Sequence, residues 1–272
     1  MATVLITGCS SGIGHATAAR LAKSGRWTVY ASARRLDTLT ALREAGCRVL
    51  TLDVTDEASM TAAVAAVEDG VDVLINNAGY SQSGALETLP IDSVRRQFET
   101  NVFGALRMAQ LVLPGMRAKG AGTIVNISSM GGKFTIPGGG AYHATKYAIE
   151  AISDALRMEV ARFGVDVICV EPGFIRSEFS ATAVDSVAVG DDGPYTDFNA
   201  AVARATREVY EGPFRRIGGE ADDVAAAIER ALLKRRAPTR VPVTPSARLL
   251  IGLRRVLPDR TWDRVIGRQY GA

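Results

Sequence analysis

The stretch Val4-Leu5-Ile6-Thr7-Gly8-Cys9-Ser10-Ser11-Gly12-Ile13-Gly14 decides the architecture. An apolar, β-branched run breaks at a threonine-glycine pair, and an alanine-rich segment of helical period follows. A strand that enters a helix through three glycines gathers several backbone N–H groups at the helix N-terminus. Bare backbone lets a pyrophosphate approach closely there, and the helix end adds partial positive charge. Gly8, Ser10, Ser11, Gly12, Ile13 and Gly14 are therefore candidate phosphate contacts. The general GxGxxG spacing is absent, since Thr17 stands at its third position; the pattern is TGxxxGxG. Taken alone, such a turn also suits a plain, tight strand-to-helix connection, the lesser of the two readings.

Outward from this turn the rhythm repeats. Strand patterns at 3–6, 27–33, 48–52, 71–76, 122–128 and 165–171 alternate with helical patterns near 12–24, 36–45, 56–68, 90–118 and 140–163. Repeated βαβ units imply parallel strands with helices on both faces. Right-handed crossovers then make an α/β, Rossmann-type doubly wound parallel sheet in three α/β/α layers the expected fold. One domain over 1–272 is expected. Residues 174–216, rich in Gly, Asp, Pro and Phe, show no clear strand and read as a substrate lid. A helix fits 219–235, a short strand 238–243, and 246–270 is basic and amphipathic.

Composition narrows the classes. With 47% hydrophobic and 22% charged residues, the chain has apolar material for a core and no sign of disorder. A net charge of +3 argues against nucleic acid as a partner of the whole surface. Positive charge is local: from Lys234 onward ten Lys/Arg stand against two Asp. Cys9, Cys47 and Cys169 lack CxxC spacing, and only His15 and His143 could join them, so no metal site is expected. They read as reduced thiols of a cytoplasmic protein. The N-terminal run lacks the charged and long apolar regions of a signal peptide, and no stretch approaches the roughly 18 apolar residues of a membrane span.

Tyr142 and Lys146 are four apart on a helical pattern and share one face. A phenol ionises near ~10, but an ammonium about 4 Å away contributes roughly 4 kcal/mol at an effective dielectric near 20. That brings Tyr142 towards its working pH, before desolvation of both groups takes some of the effect back.

The glycine turn, followed by Asn76-Asn77-Ala78-Gly79, Ser129 and Tyr142-His143-Ala144-Thr145-Lys146, resembles the short-chain dehydrogenase/reductase family in its shorter, non-extended branch. The resemblance runs from Thr3 to about residue 243 and rests on the ordered set, since YxxxK alone is weak. It implies that Tyr142 is the general acid/base, and that Lys146 lowers its pKa and holds the nicotinamide ribose. Ser129, thirteen residues before Tyr142, would donate to the substrate oxygen; adjacent Ser128 is the alternative, one of the two being open to a loop-capping role, and the offset favours Ser129. Asn101, in Thr100-Asn101-Val102-Phe103-Gly104, matches the helix asparagine that holds a water in the proton relay. Asp53-Val54 resembles the adenine-contacting pair, and Asn77-Ala78-Gly79 would line the adenosine ribose. Pro172-Gly173-Phe174-Ile175 resembles the segment against the nicotinamide. Ser177 stands where members usually place a threonine at the carboxamide. The family also implies a homo-oligomer.

The end of the second strand, Tyr30-Ala31-Ser32-Ala33-Arg34-Arg35, bears on the cofactor. An NAD site wants a carboxylate about twenty residues after the glycine turn, on the ribose 2′-OH. Nineteen residues past Gly14 stands Ala33, and no acid occurs from Tyr30 through Leu36. Arg34 offers a planar guanidinium to a 2′-phosphate, with Ser11 adding a hydroxyl, so NADP(H) is expected over NAD(H). Arg35 reads as a solvated helix-start charge and Asp37 as a helix N-cap.

Beyond the strand ends, Tyr80, Met130, Phe134, Ile136, Phe174, Phe179, Tyr195, Phe198 and Phe214 would line the substrate, unless they pack the lid onto the body. They suit a small hydrophobic carbonyl or secondary alcohol, and the TGCSSGIG and YASAR segments resemble the hydroxysteroid and retinol dehydrogenase side of the family. Arg176, Asp191 and Asp192 read as solvent-facing. In 246–270, Leu249, Leu250, Leu253, Val256, Leu257, Trp262, Val265 and Ile266 stand among six arginines. This segment reads first as a helix docked on its own domain or a partner subunit, and second as a peripheral membrane contact broken at Pro258. The whole reads as an oxidoreductase. The rivals are an NADP(H)-binding regulator without turnover and an NAD(P)-dependent lyase or epimerase.

Overall fold

The strand at the glycine turn sits at the centre of the molecule. In the computed structural model, which describes residues 1–176, 187, 193–212 and 216–270, β1 is Ala2–Ile6 and α1 is Gly12–Lys23. The next elements are β2 (Trp27–Ala33), α2 (Thr40–Glu44), β3 (Arg48–Thr51), α3 (Glu57–Ala65), β4 (Val73–Asn76), α4 (Ile91–Phe98) and α5 (Ala105–Lys119). Then come β5 (Gly122–Ile127), α6 (Gly140–Val160), β6 (Val165–Pro172), β7 (Ile175–Arg176) and α7 (Thr196–Glu211). The chain closes with β8 (Gly219–Glu220), α8 (Ala221–Leu232), β9 (Arg240–Val243), α9 (Pro245–Val256) and α10 (Asp259–Gly267).

Seven strands form one parallel sheet in the order β3-β2-β1-β4-β5-β6-β9. From β1 the chain winds outward to β3, then returns to β4 on the other side. The crevice where winding reverses lies at the carboxyl ends of β1 and β4, the place where open α/β sheets bind ligands. Side chains alternate across the sheet with period two. Val4 and Ile6 join Ala18 and Leu21 of α1 and Ile228 of α8 in one layer, whereas Leu5 joins Met108, Val112 and Met116 of α5 in the other.

Four expectations change. The helical pattern 36–45 divides into a 3₁₀ turn, Leu36–Leu39, and the short α2. Asp37 is not an N-cap but pairs with Arg35 at 2.7 Å. The pattern 90–118 is interrupted by a π-helical turn, Glu99–Gly104, such as often marks functional positions in helices. The lid contains structure that composition hid: β7 pairs with β8, and α7 contributes 16 residues of helix. Ser177, Phe179, Asp191, Asp192 and Phe214 lie outside the described residues.

The tail docks on its own domain. Ala247 and Ile251 of α9 and Trp262 of α10 pack with Met130 and Phe134, the Phe134 and Trp262 rings lying 5.0 Å apart. Trp262 donates its indole N–H to the Thr135 carbonyl at 3.4 Å. Among the described residues no helix is long and apolar enough to cross a membrane.

Gly173 anchors this docking. A Cβ there would lie 2.3 Å from both Ser246 Oγ and Thr244 Oγ1 at the start of α9. Gly173→Ala should therefore cost about 1–3 kcal/mol through overpacking, whereas Gly115→Ala, with open space around it in α5, should gain roughly 0.5–1 kcal/mol of helix propensity. Urea unfolding of both variants reads this out, and equal effects would discount the anchor.

Candidate active site

The turn after β1 is held by side chains from β4. Thr7 Oγ1 accepts from the N–H groups of Asn77 and Ala78, each at 3.0 Å. Asn77 Nδ2 donates back to the carbonyls of Thr7 and Gly8, at 3.0 and 2.9 Å. Gly8 has φ +72°, and a Cβ on it would meet Ala78 Cα at 2.8 Å. Neither the conformation nor the space admits a side chain. At Gly14, a Cβ would lie 2.4 Å from Asn77 Nδ2. Thus Asn77 and Ala78 shape the turn itself, while Gly79 is exposed beyond them.

The N-terminus of α1 suits an anionic group. No acidic residue occupies its first turn, and the N-cap Ser11 spends no side-chain hydrogen bond on capping. Ser10 is exposed, and Ser11, Gly12 and Ile13 are half-buried. This open cradle of backbone donors and hydroxyls fits a dinucleotide pyrophosphate.

The predicted catalytic residues converge across three elements. Asn101, in the π-helical turn, is buried; its Nδ2 donates to the Tyr80 carbonyl at 2.9 Å and to Thr145 Oγ1 at 3.1 Å. Its Oδ1 accepts from the Tyr80 N–H at 3.0 Å. Both amide hydrogens are thus taken, so the side chain braces the loop after β4 against α6. Thr145 in turn donates to the Tyr142 carbonyl at 2.7 Å.

Lys146 is buried, and its Nζ donates to the Ile127 carbonyl at the end of β5 at 2.8 Å. The ammonium lies 5.6 Å from the centre of the half-buried Tyr142 ring. Burial pushes the Lys146 pKa down to about 8, partly offset by Cys169 and Glu150 nearby. Ser129 is half-buried, and its Oγ accepts from the Gly131 N–H at 3.0 Å, which leaves its own hydrogen to donate. Ser128 is instead fully inside, 3% exposed.

On the cofactor side, Arg34 is exposed at the end of β2, while Arg35 is engaged with Asp37. Asp53 Oδ1 accepts from the Thr55 N–H and hydroxyl at 2.9 and 2.8 Å, and Val54 is buried. Pro172 ends β6, Gly173 backs onto α9, and Ile175 is buried. Of the apolar wall, Met130, Phe134, Ile136 and Phe174 belong to the cluster beneath α9 and α10. Tyr195 donates its hydroxyl to Glu87 at 2.6 Å.

Sequence reasoning missed three supporting residues. Thr7 lies inside the quoted turn and Thr145 inside YHATK, so position alone flagged both. Asn126 had no such signal: its Oδ1 accepts from Asn76 at 2.9 Å, and its Nδ2 donates to Ser153 at 2.9 Å, linking β4, β5 and α6. His143, beside Tyr142, is buried and accepts from the Ile136 N–H at 3.3 Å. Burial lowers its pKa to about 4, so it is neutral near pH 7 and holds the 131–139 loop.

Residues 2–187 match the sequence model of the short chain dehydrogenase family. A probable short-chain type dehydrogenase/reductase, VdlC, of Helicobacter pylori is 34% identical, with 98% of this chain and 99% of that protein covered. The 3-ketodihydrosphingosine reductase of Bacteroides thetaiotaomicron is 36% identical over 94% of this chain and 93% of its own. A Streptomyces avermitilis short-chain dehydrogenase structure superposes with a TM-score of 0.81 at 35% identity, covering 98% of both chains. Similar folds were solved with either cofactor. A serine dehydrogenase holds NADP+ (27% identity, TM-score 0.77, 89% of this chain and 94% of that one). A Burkholderia phymatum short-chain dehydrogenase/reductase holds NAD (25%, 0.78, 98% and 95%). The sheet order, the clamped glycine turn and these matches together make this chain a member of the short-chain dehydrogenase/reductase family, a nicotinamide-dependent oxidoreductase.

Proposed function

We propose that the protein is an NADP(H)-dependent oxidoreductase acting on a hydrophobic carbonyl or secondary alcohol. The observation that carries the chemistry is the buried Lys146 ammonium, held by the Ile127 carbonyl at 2.8 Å and 5.6 Å from the Tyr142 ring centre. A positive charge so close favours the ionised phenol, which is the form that accepts a proton from an alcohol. In the reverse direction the neutral phenol gives that proton to the carbonyl oxygen. Ser129 donates to the same oxygen, and Asn101 and Thr145 fix the turn of α6 that carries Tyr142.

The dinucleotide, when bound, supplies or accepts the hydride. Gly8 through Gly14 would hold its pyrophosphate, Lys146 its nicotinamide ribose, and Asp53 and Val54 its adenine. Arg34 supports NADP(H), being a solvent-facing guanidinium with no acid from Tyr30 through Leu36 to bind a free 2′-OH. The partly buried Ile136 and Phe174 at the edge of the apolar cluster support a hydrophobic substrate, as does the 3-ketodihydrosphingosine named for the Bacteroides relative. An intact Asn101, Ser129, Tyr142 and Lys146 argues for turnover over regulation. Three buried free thiols, Cys9, Cys47 and Cys169, suit the reducing cytoplasm.

Three experiments test this reading. Tyr142→Phe should lower kcat by roughly 10²–10⁴ in NADPH-dependent reduction of lipid-like ketones, with NADPH affinity retained; unchanged turnover would remove Tyr142 from the chemistry. Ala33→Asp combined with Arg34→Ala should reverse the NADPH/NADH preference in kcat/KM. The third concerns pH. Because burial holds Lys146 near 8, below its ordinary value, the unfolded chain binds the extra proton between about 8 and 10.4 and folding stability rises across that window. Relative to Lys146→Met, the protein should therefore gain about 3 kcal/mol in denaturant unfolding as pH rises from about 8 to 10.4; a flat difference would contradict a buried ammonium.

A further inference from the structure

The positive charge concentrated from residue 234 onward is not used by the catalytic site, and three of its ten cations, Lys234, Arg240 and Arg248, border a separate cleft. Helix α8 and the following Lys234 form one wall of this cleft of about 680 Å³. The outer edge of β9 and the first turn of α9 form the other. Arg230, Lys234 and Arg248 line it and are exposed. Asp222 and Glu229 nearby pair with Arg20 at 3.2 and 2.7 Å. Asp223, the acid among the lining residues, accepts from the Glu220 N–H at 2.8 Å, so one negative charge stands against the four cations of the lining. Arg240, which also lines the cleft, reaches Asp154 at 2.5 Å.

Among the described residues, Arg230, Lys234 and Arg248 thus form no ion pair. Arg248 follows directly on a first turn of α9 that holds no acid, where a cation opposes the helix dipole and a bound anion would offset it. Alanines of α8 with Val241 and Pro242 also line the cleft. Leu233 and Leu249, neighbours of Lys234 and Arg248, are 49% and 60% exposed. Unpaired cations beside exposed leucines are the pattern of a surface that enters the headgroup layer of an acidic membrane.

We propose that this cleft binds the phosphate headgroup of an anionic phospholipid and seats the α8–α9 face on a membrane surface. The contact differs from a membrane helix made of the whole tail, because most of the apolar stripe of 246–270 is spent on Met130 and Phe134. The same helix α9 turns Ala247 and Ile251 inward onto that apolar cluster, so the membrane would lie against the cover of the cluster. The proposal does not depend on turnover, and its test reads binding alone.

The full chain is sedimented with phosphatidylcholine vesicles with and without phosphatidylglycerol. Binding should require phosphatidylglycerol and fall about 100-fold in Arg230→Gln/Lys234→Gln/Arg248→Gln, as expected for three cations near an anionic surface. Arg260→Gln/Arg264→Gln/Arg268→Gln removes equal charge from the other end of the tail and should leave most of the binding. Circular dichroism reports whether each variant is folded. Should the first triple variant unfold, the exposed single change Lys234→Gln should still weaken binding about fivefold. Absence of binding to acidic vesicles, or equal losses in the two triple variants, would overturn the proposal. So would saturable binding of inorganic phosphate at matched ionic strength without vesicle binding, which would assign the cleft to a soluble phosphate.

Discussion

The approach of two backbones at the carboxyl ends of β1 and β4 is the constraint from which the site follows. Gly8 passes so close to Ala78 that no side chain fits between them, and Thr7 and Asn77 bond across the gap in both directions. This clamp aims the N-terminus of α1 at the crevice where the winding of the sheet reverses. The anion cradle is thus a property of two strands that are distant in sequence, not of the glycines alone.

On the other side of the crevice most buried polar groups find a partner, although among the described residues Asn76 Oδ1, Gln97 Oε1 and Ser128 Oγ form no hydrogen bond. The π-helical turn brings Asn101 to the loop after β4 and to Thr145, and Thr145 bonds back to Tyr142 within α6. Behind Tyr142, Lys146 is held by a strand-end carbonyl in an interior that penalises its charge. A deeper chain through Asn76, Asn126 and Ser153 fixes α6 to the central strands. Tyr142 therefore sits on a helix that is braced at both ends of the turn carrying it, which is the rigidity that the proposed proton transfer at a fixed atom needs.

The carboxyl-terminal third divides its work between two surfaces. Its apolar residues close over Met130 and Phe134, extending the core past the sheet, while Lys234, Arg240 and Arg248 line the cleft beside β9. The docking depends on Gly173, where α9 begins against bare backbone. One helix thereby connects the segment after β6 with the charged outer face.

The sequence by itself determined the alternation of strands and helices, the glycine turn and the ordered Asn101, Ser129, Tyr142 and Lys146, because period and local turn chemistry are written in adjacent residues. It also located the break at Pro258. What it did not hold was the meaning of its isolated polar residues: Asn126, Thr145 and His143 acquire partners only when strands and helices far apart in the chain are packed together. Helix α7 was hidden by a loop-like composition upstream of it, and the choice between a docked and a free tail was open until α9 met Gly173. Only the tertiary structure decided these points, since burial and hydrogen-bond satisfaction are set by neighbours in space.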